Sequence, residues 1–380
     1  MANENKIVRE NWQSSFSLVG EAKVSDYTFK IDAQSERSDW IYNALNLNVD
    51  CGEKYGVVSA SMMGGYGANR DNVIYAHGKN EDGKDDYKLA MEVAWDDRFD
   101  PDVLDNVGSG CFYTVGLEKT TDGKTYYKNF LSPYDAIAYM HEHLETGMVV
   151  RVRGQLKYSM YNDNVQVKKE IKSIVLSSVD SKDKYSATFL QSVLLDKDSA
   201  SLKNIDKEKS VMFVDARVLD YVKEINGVEV RGQYPFNKTF EWEMDFSKPD
   251  ICKKIVDKIF KVKKDITQIA FEGDFIEGGA AVTATWDDVP DAMKEMVELG
   301  VFTKDDVLER CSVNGNRERR MVLRKPYFRL EGEEGNKTQV LQRIDNAYTE
   351  DDLVVGVALE AEDDASDDDS FDADDWLANL

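Results

Sequence analysis

Hydrophobic positions along this chain fall into short runs with a period of two, the mark of half-buried strands. Ile41, Leu45, Leu47 and Val49 share one face of a strand over 40–49, and Met212, Val214, Ala216 and Val218 share one face of another over 211–221. The same reading predicts strands at 16–22, 125–131, 148–156 and 165–176, and again at 188–195, 238–246, 266–275 and 320–330. Two stretches break the period. Phe130-Leu131-Ser132-Pro133-Tyr134-Asp135 and Phe246-Ser247-Lys248-Pro249-Asp250 read as helix starts, with Ser132 and Ser247 as N-caps. Pro133 and Pro249 suit a first turn that needs no proline N–H, and an Asp follows where the helix dipole favours one.

The halves therefore repeat one order: three strands, a helix, a strand with a central glycine (Gly154, Gly273) and a final strand. This is the order of the OB-fold, a five-stranded Greek-key barrel. The expected fold class is mainly β with helical insertions, as two OB-fold-like barrels over 12–180 and 185–345. An N-terminal arm, 1–11, precedes them, and a disordered acidic tail, 346–380, follows. The first barrel carries an insertion over 52–109, where Met62-Met63-Gly64-Gly65-Tyr66-Gly67-Ala68-Asn69-Arg70 predicts a mobile glycine loop. A hairpin turning at Asp122-Gly123 leads into its third strand. The second barrel carries an insertion over 283–316 with two short helices, one ended by Gly300. Each insertion reads equally as a partner site or as a loop tolerated at a barrel rim.

Length and charge sharpen this. At 380 residues the chain is long enough for two domains, and 48 Lys and Arg against 72 Asp and Glu give a net charge of −24. A wholly basic coat for nucleic acid is excluded, whereas a local basic groove is not. No apolar run approaches the ~18 residues of a membrane helix, and residues 1–11 are polar, so a cytoplasmic protein with no membrane partner is expected. Cys51, Cys111, Cys252 and Cys311 stand far apart with no CxxC pair, which fits reduced thiols.

Catalytic signatures are missing. There is no P-loop, no strand-borne Gly-x-Gly-x-x-Gly and no His-Glu-x-x-His. His141 and His143 are two apart on a helix and so point to different faces. Asp196-Lys197-Asp198 opens like a calcium loop but has Ser201 and Lys207 where the glycine and the bidentate Glu belong. The expectation is a protein that is not an enzyme, with no cofactor and no metal.

What remains suits a charged, stackable polymer. Arg151 and Arg153 alternate with Val150 and Val152, and Lys157 and Lys168 extend the strip beside Tyr158 and Tyr161 at the hairpin between strands 4 and 5. In the second half Phe213, Arg217 and Tyr221 alternate on one strand, and Arg319, Arg320 and Arg324 run into Tyr327. Trp40 and Tyr42 stand opposite the apolar face of the first half's strand 2. Cationic strips beside aromatics serve single-stranded nucleic acid, whose phosphates need charge and whose bases offer π-faces.

The tail is distinct. From 360 to 380 there are ten acids and no base, ending in Asp367-Asp368-Asp369-Ser370-Phe371-Asp372-Ala373-Asp374-Asp375-Trp376-Leu377-Ala378-Asn379-Leu380. Like charges and few apolar groups predict disorder. Phe371, Asp374, Asp375, Trp376, Leu377 and Leu380 make its end a binding peptide. Two OB-like repeats with basic, aromatic strands and an apolar-tipped acidic tail resemble single-stranded DNA-binding proteins, most closely the phage-encoded replication type. The resemblance implies a coat on single-stranded DNA in replication, recombination or repair, located in a host cytoplasm if phage-encoded. It also implies a tail that recruits replication or recombination proteins and competes with DNA. The tip departs from the bacterial ending Pro-Phe, which points to partners encoded alongside this protein. The competing expectation is an acidic phage assembly or adaptor protein whose barrels bind protein.

Overall fold

The computed structural model describes residues 12–161, 164–225, 227–278, 319–332 and 337–354, with the single positions 289, 294, 297, 304 and 307. The first half begins with β1 (Ser14–Lys23), β2 (Phe29–Gln34), β3 (Trp40–Asp50) and β4 (Val57–Gly67). A separate hairpin follows, β5 (Val73–Lys79) and β6 (Asp85–Ala94), then α1 (Pro101–Asn106), β7 (Tyr113–Lys119) and β8 (Thr125–Phe130). The half ends with α2 (Pro133–His143), β9 (Val149–Tyr161) and β10 (Asn164–Leu176). Five strands close a barrel in the order β1-β3-β4-β10-β9 and back to β1, antiparallel throughout except for the β4–β10 junction.

The second half repeats the circuit. It contains β11 (Ser186–Leu195), β12 (Ala200–Asp206), β13 (Val211–Ile225), β14 (Val228–Glu243), α3 (Pro249–Ile255), β15 (Ile266–Glu277) and β16 (Arg319–Pro326). These close as β11-β13-β14-β16-β15, again with one parallel junction, β14–β16. A small hairpin of β17 (Phe328–Glu331) and β18 (Thr338–Leu341) follows, and β19 (Arg343–Tyr348) pairs with β15. Both halves are OB-like barrels.

Alternation dictates the cores. Val150, Val152, Leu156 and Tyr158 of β9 point inward and are buried, as are Met212, Val214, Ala216 and Val218 of β13. The helix α2 starts as its sequence requires, with the Ser132 hydroxyl accepting from the Tyr134 N–H at 3.1 Å. It buries Ala136, Ile137 and Met140 in the first core.

The barrels are joined edge to edge. The first halves of β1 and β11 pair antiparallel, from Ser14 opposite Gln191 to Val19 opposite Ser186, so one sheet runs through both barrels. Ion pairs reinforce the seam: Lys169 of β10 meets Glu277 of β15 with both side chains buried, and Lys157 of β9 lies 3.3 Å from the buried Asp220 of β13. The Tyr158 N–H also donates to Asp220 at 2.9 Å.

Several sequence expectations are corrected. The segment expected to be a mobile glycine loop is largely strand β4, which pairs with β3 from Val57 to Gly67. Its glycines serve close approach rather than flexibility, since a Cβ on Gly64 would lie 2.2 Å from Pro133 Cγ and one on Gly65 2.1 Å from the Ile41 carbonyl oxygen. Strand 3 of the first barrel is consequently β4, not residues 125–131, which form β8 on the far side of β7. Ser247 does not cap the second helix: Lys248 holds that position without a side-chain bond, while the Ser247 hydroxyl donates to Asp245 at 2.5 Å. The expected final strand divides at Tyr327 into β16 and β17. Residues 346–354, assigned to the tail, pack on the second barrel, where Tyr348 and Leu353 are buried against Leu194, Leu219 and Ile266. The helices expected over 283–316 lie outside the described residues apart from the isolated positions given above.

Candidate functional site

The outward positions of β9 are Arg151, Arg153, Gln155 and Lys157, because the inward ones fill the core. Across the β9–β10 ladder Lys168 faces Lys157, and Asn164 faces Tyr161 at the hairpin end. Arg153 is exposed, Arg151 and Lys168 are half-exposed, and Tyr161 is 43% exposed. Arg151, Arg153 and Lys168 have no carboxylate within 4 Å among the described residues. On a chain of net charge −24 these three cations, without an acidic partner among the described residues, form a candidate strip on one strand pair.

Lys157 belongs to the seam rather than to the strip, through Asp220. Tyr158 and Tyr42 are corrected as stacking residues. Tyr158 is 3% exposed, and its hydroxyl donates to Gln191 Oε1 at 3.1 Å within the core. Tyr42 is buried as well, so neither ring offers a face to a base. Burial drives both phenols above the ordinary tyrosine range. Trp40 is half-buried at the start of β3.

Three of the predicted arginines of the second barrel are paired internally. Gly273 occupies the place of Gly154, so Glu272 and Asp274 stand where the first barrel has Arg153 and Gln155, and Arg320 stands where it has Lys168. Arg320 lies on Glu241, Arg324 on Glu243 and Asp274, and Arg217 on Glu350 at 2.7 Å and Asp196 at 3.1 Å. The Arg217 guanidinium in turn holds the Glu350 carboxyl below its usual range. Tyr221 is 48% exposed, Arg319 is exposed, and Phe213 and Tyr327 are half-buried.

The structure does bring three of the predicted residues together. Arg153, Arg324 and Tyr327 line a hollow of about 500 Å³ over the β1–β11 seam, with Glu272 and Asp274 on its second-barrel side. The tail residues Phe371, Asp374, Asp375, Trp376, Leu377 and Leu380 lie outside the described residues.

Sequence reasoning missed another set of rings. Tyr75 and Tyr87 on the β5–β6 hairpin are 80% and 78% exposed, and Tyr126 and Tyr127 on β8 are also exposed. Their signal was present in Asp86-Tyr87-Lys88 and Thr125-Tyr126-Tyr127-Lys128, where tyrosine beside lysine on a polar strand marks a solvent-facing ring. Reading 52–109 as a loop hid the first pair.

Comparison with known proteins adds little weight to any one residue. The sequence model of a family described as YorF matches residues 114–265, less than half of the chain. No curated protein matches. Among solved structures, the wild-type single-stranded DNA binding protein from Thermus aquaticus is similar at 8% identity and a TM-score of 0.30, covering 70% of this chain and 87% of that one. A deletion mutant of the same protein gives 9% identity with the same coverage and TM-score. At that TM-score the superposition is too loose to transfer residue positions.

Proposed function

We propose that this protein binds single-stranded DNA without strong sequence preference, along the outward face of β9 and β10 in the first barrel. The observation that carries the reading is the strip of Arg151, Arg153 and Lys168, uncompensated among the described residues of a strongly acidic chain and ending at the exposed ring of Tyr161. Isolated surface cations on an acidic protein ordinarily sit near acids. Three left open on adjacent strands favour a polyanion, and an exposed ring at the hairpin favours one with stackable bases. Such a binder would coat DNA in replication or recombination without catalysis and without a metal, in the cytoplasm, or in a host cytoplasm if it is phage-encoded. The acidic tail would recruit partner proteins through Trp376, Leu377 and Leu380 and compete with DNA for the strip.

The test is a fluorescence titration with oligo-dT at several salt concentrations. Binding that weakens linearly with log salt supports the reading. Indifference to the oligonucleotide at low salt overturns it in favour of a protein-binding adaptor.

A further inference from the structure

Outside that strip, the insertion between β4 and β7 gathers a thiol, an imidazole and a carboxylate that the sequence keeps far apart. Cys111 Sγ lies 3.2 Å from His77 Nδ1 and 3.9 Å from Nε2, and His77 Nε2 lies 3.1 Å from Asp85 Oδ2. The His77 backbone N–H also donates to Sγ at 3.3 Å. Asp85 is fixed by the turn that carries the cysteine, accepting from the Ser109 N–H at 2.7 Å, the Ser109 hydroxyl at 2.9 Å and the Gly110 N–H at 2.8 Å. Those donors, with His77, hold its carboxyl well below the usual range. The turn is shaped around the ring, because a Cβ on Gly108 would lie 2.4 Å from His77 Cδ2.

This arrangement selects one tautomer. An ionised carboxylate at Nε2 keeps the proton there and leaves Nδ1 as the basic nitrogen beside the thiol. Among the described residues no group of three or more His, Cys, Asp or Glu side chains is placed to hold a metal ion. Acyl transfer is poorly served as well: the Cys111 N–H is spent on the Gly108 carbonyl at 3.0 Å and the Phe112 N–H on Ser109 at 3.4 Å, leaving neither to stabilise an oxyanion. Thiol–disulfide exchange needs no oxyanion hole. It needs an activated, reachable sulfur, and Cys111 is partly exposed while Cys51 and Cys252 are buried.

We propose that Cys111 is a reactive thiol that forms a mixed disulfide with low-molecular-weight disulfides, with His77 as its base and Asp85 as the residue that positions the base. The Cys111 proton moves to His77 Nδ1, and the thiolate attacks one sulfur of the disulfide. A new S–S bond forms as the old one breaks, and the departing thiolate takes the proton from the imidazolium. One disulfide is consumed, one is made, and a thiol is released. The site is independent of nucleic-acid binding.

The test uses the full chain with Cys311→Ser, so that Cys51 and Cys252 remain as internal controls, and follows reaction with glutathione disulfide at neutral pH by mass spectrometry of the digested protein. The expected result is a single glutathionyl adduct at Cys111, formed about 10-fold faster than in the same chain unfolded in urea. His77→Gln should bring the rate down to the unfolded value, and Asp85→Asn should give an intermediate rate. Circular dichroism and thermal melting establish whether each variant keeps its fold, and if either does not, the folded against unfolded comparison of the parent chain decides alone. A folded-state rate at Cys111 equal to or below the unfolded rate overturns the proposal, as does an unchanged rate in a well-folded His77→Gln variant.

Discussion

Phe16 and Phe189 lie directly opposite one another in the β1–β11 ladder, and each ring covers a glycine of its own barrel. A Cβ on Gly154 would lie 2.8 Å from Phe16 Cε1, and one on Gly273 2.2 Å from Phe189 Cζ. Since Phe16 pairs with Gly154 and Phe189 with Gly273, a local two-fold axis passes through the phenylalanine pair and relates the barrels. The internal repeat in the sequence is thus a physical dyad in the fold.

That packing sets a stability prediction. Gly154→Ala and Gly273→Ala should each destabilise the protein by ~1 to 3 kcal/mol or more through overpacking, read from urea unfolding. Trimming the ring should not rescue them: the same Cβ atoms would also meet the Glu170 oxygen at 1.8 Å and the Val322 oxygen at 2.6 Å. Restoration of stability in Gly273→Ala/Phe189→Ala would show that the rings alone impose the glycines.

The cationic strip can be separated from the seam. Replacing Arg151, Arg153 and Lys168 by Gln should weaken binding to oligo-dT and flatten the dependence of log affinity on log salt by about 0.7 per lost phosphate contact. Lys157→Met should act on folding instead, because it strips the buried Asp220 of its cation. An unchanged salt slope in the folded triple variant would place the DNA elsewhere.

Two tyrosines three residues apart should behave oppositely. Tyr161→Ala is expected to cost ~1 to 3 kcal/mol of DNA affinity with little change in melting temperature. Tyr158→Ala opens a cavity and removes one of the hydrogen bonds to Gln191, so it should cost ~3 to 5 kcal/mol of stability, as measured by chemical denaturation. Equal losses of affinity from well-folded forms of both would contradict the assignment.

Lys169 and Glu277 form an ion pair buried between the barrels. Lys169→Met leaves a buried carboxylate without its cation and should destabilise by ~3 to 5 kcal/mol. Lys169→Met with Glu277→Gln should recover most of that loss, and a double-mutant cycle by urea unfolding measures the coupling. Additive losses would mean that the pair is not coupled.

Deleting residues 360–380 removes ten carboxylates tethered to the same molecule as the strip. Oligo-dT binding should tighten at low salt, and the gain should shrink as salt rises. Equal affinity of the two forms across salt would end the competition idea. Changing only Trp376, Leu377 and Leu380 to Ser should leave DNA affinity unchanged and abolish capture of a tail partner.

Much of the architecture was legible because it rests on local patterns. Ser132 and Pro133 started their helix where the capping chemistry placed them, and alternation located β3, β9 and β13 within a few residues. Most of the differences share a cause. Gly64 and Gly65 signal flexibility only when nothing is packed on them, and whether Pro133 or the Ile41 backbone lies there is a tertiary fact. The same limit applies at the site: the run of Arg319, Arg320 and Arg324 into Tyr327 reads as a cationic strip, but Glu241 and Glu243 reach Arg320 and Arg324 from a strand about 80 residues away. Tyr158 differs, since its parity alone puts it on the inward phase of β9 with Val152 and Leu156 whatever its neighbours at the hairpin.

A single strand of nucleic acid has a direction, and a two-fold axis does not. Two equivalent faces related by the Phe16–Phe189 dyad would present themselves to a passing strand with opposite polarity, so one strand could not satisfy both alike. The barrels differ at one such position, with Arg153 on one and Glu272 on the other, although Lys168 and Arg320 keep the same sign. If the proposed strip binds a single strand, that one reversal of charge between otherwise matched faces would favour one 5′ to 3′ orientation of the strand across the seam.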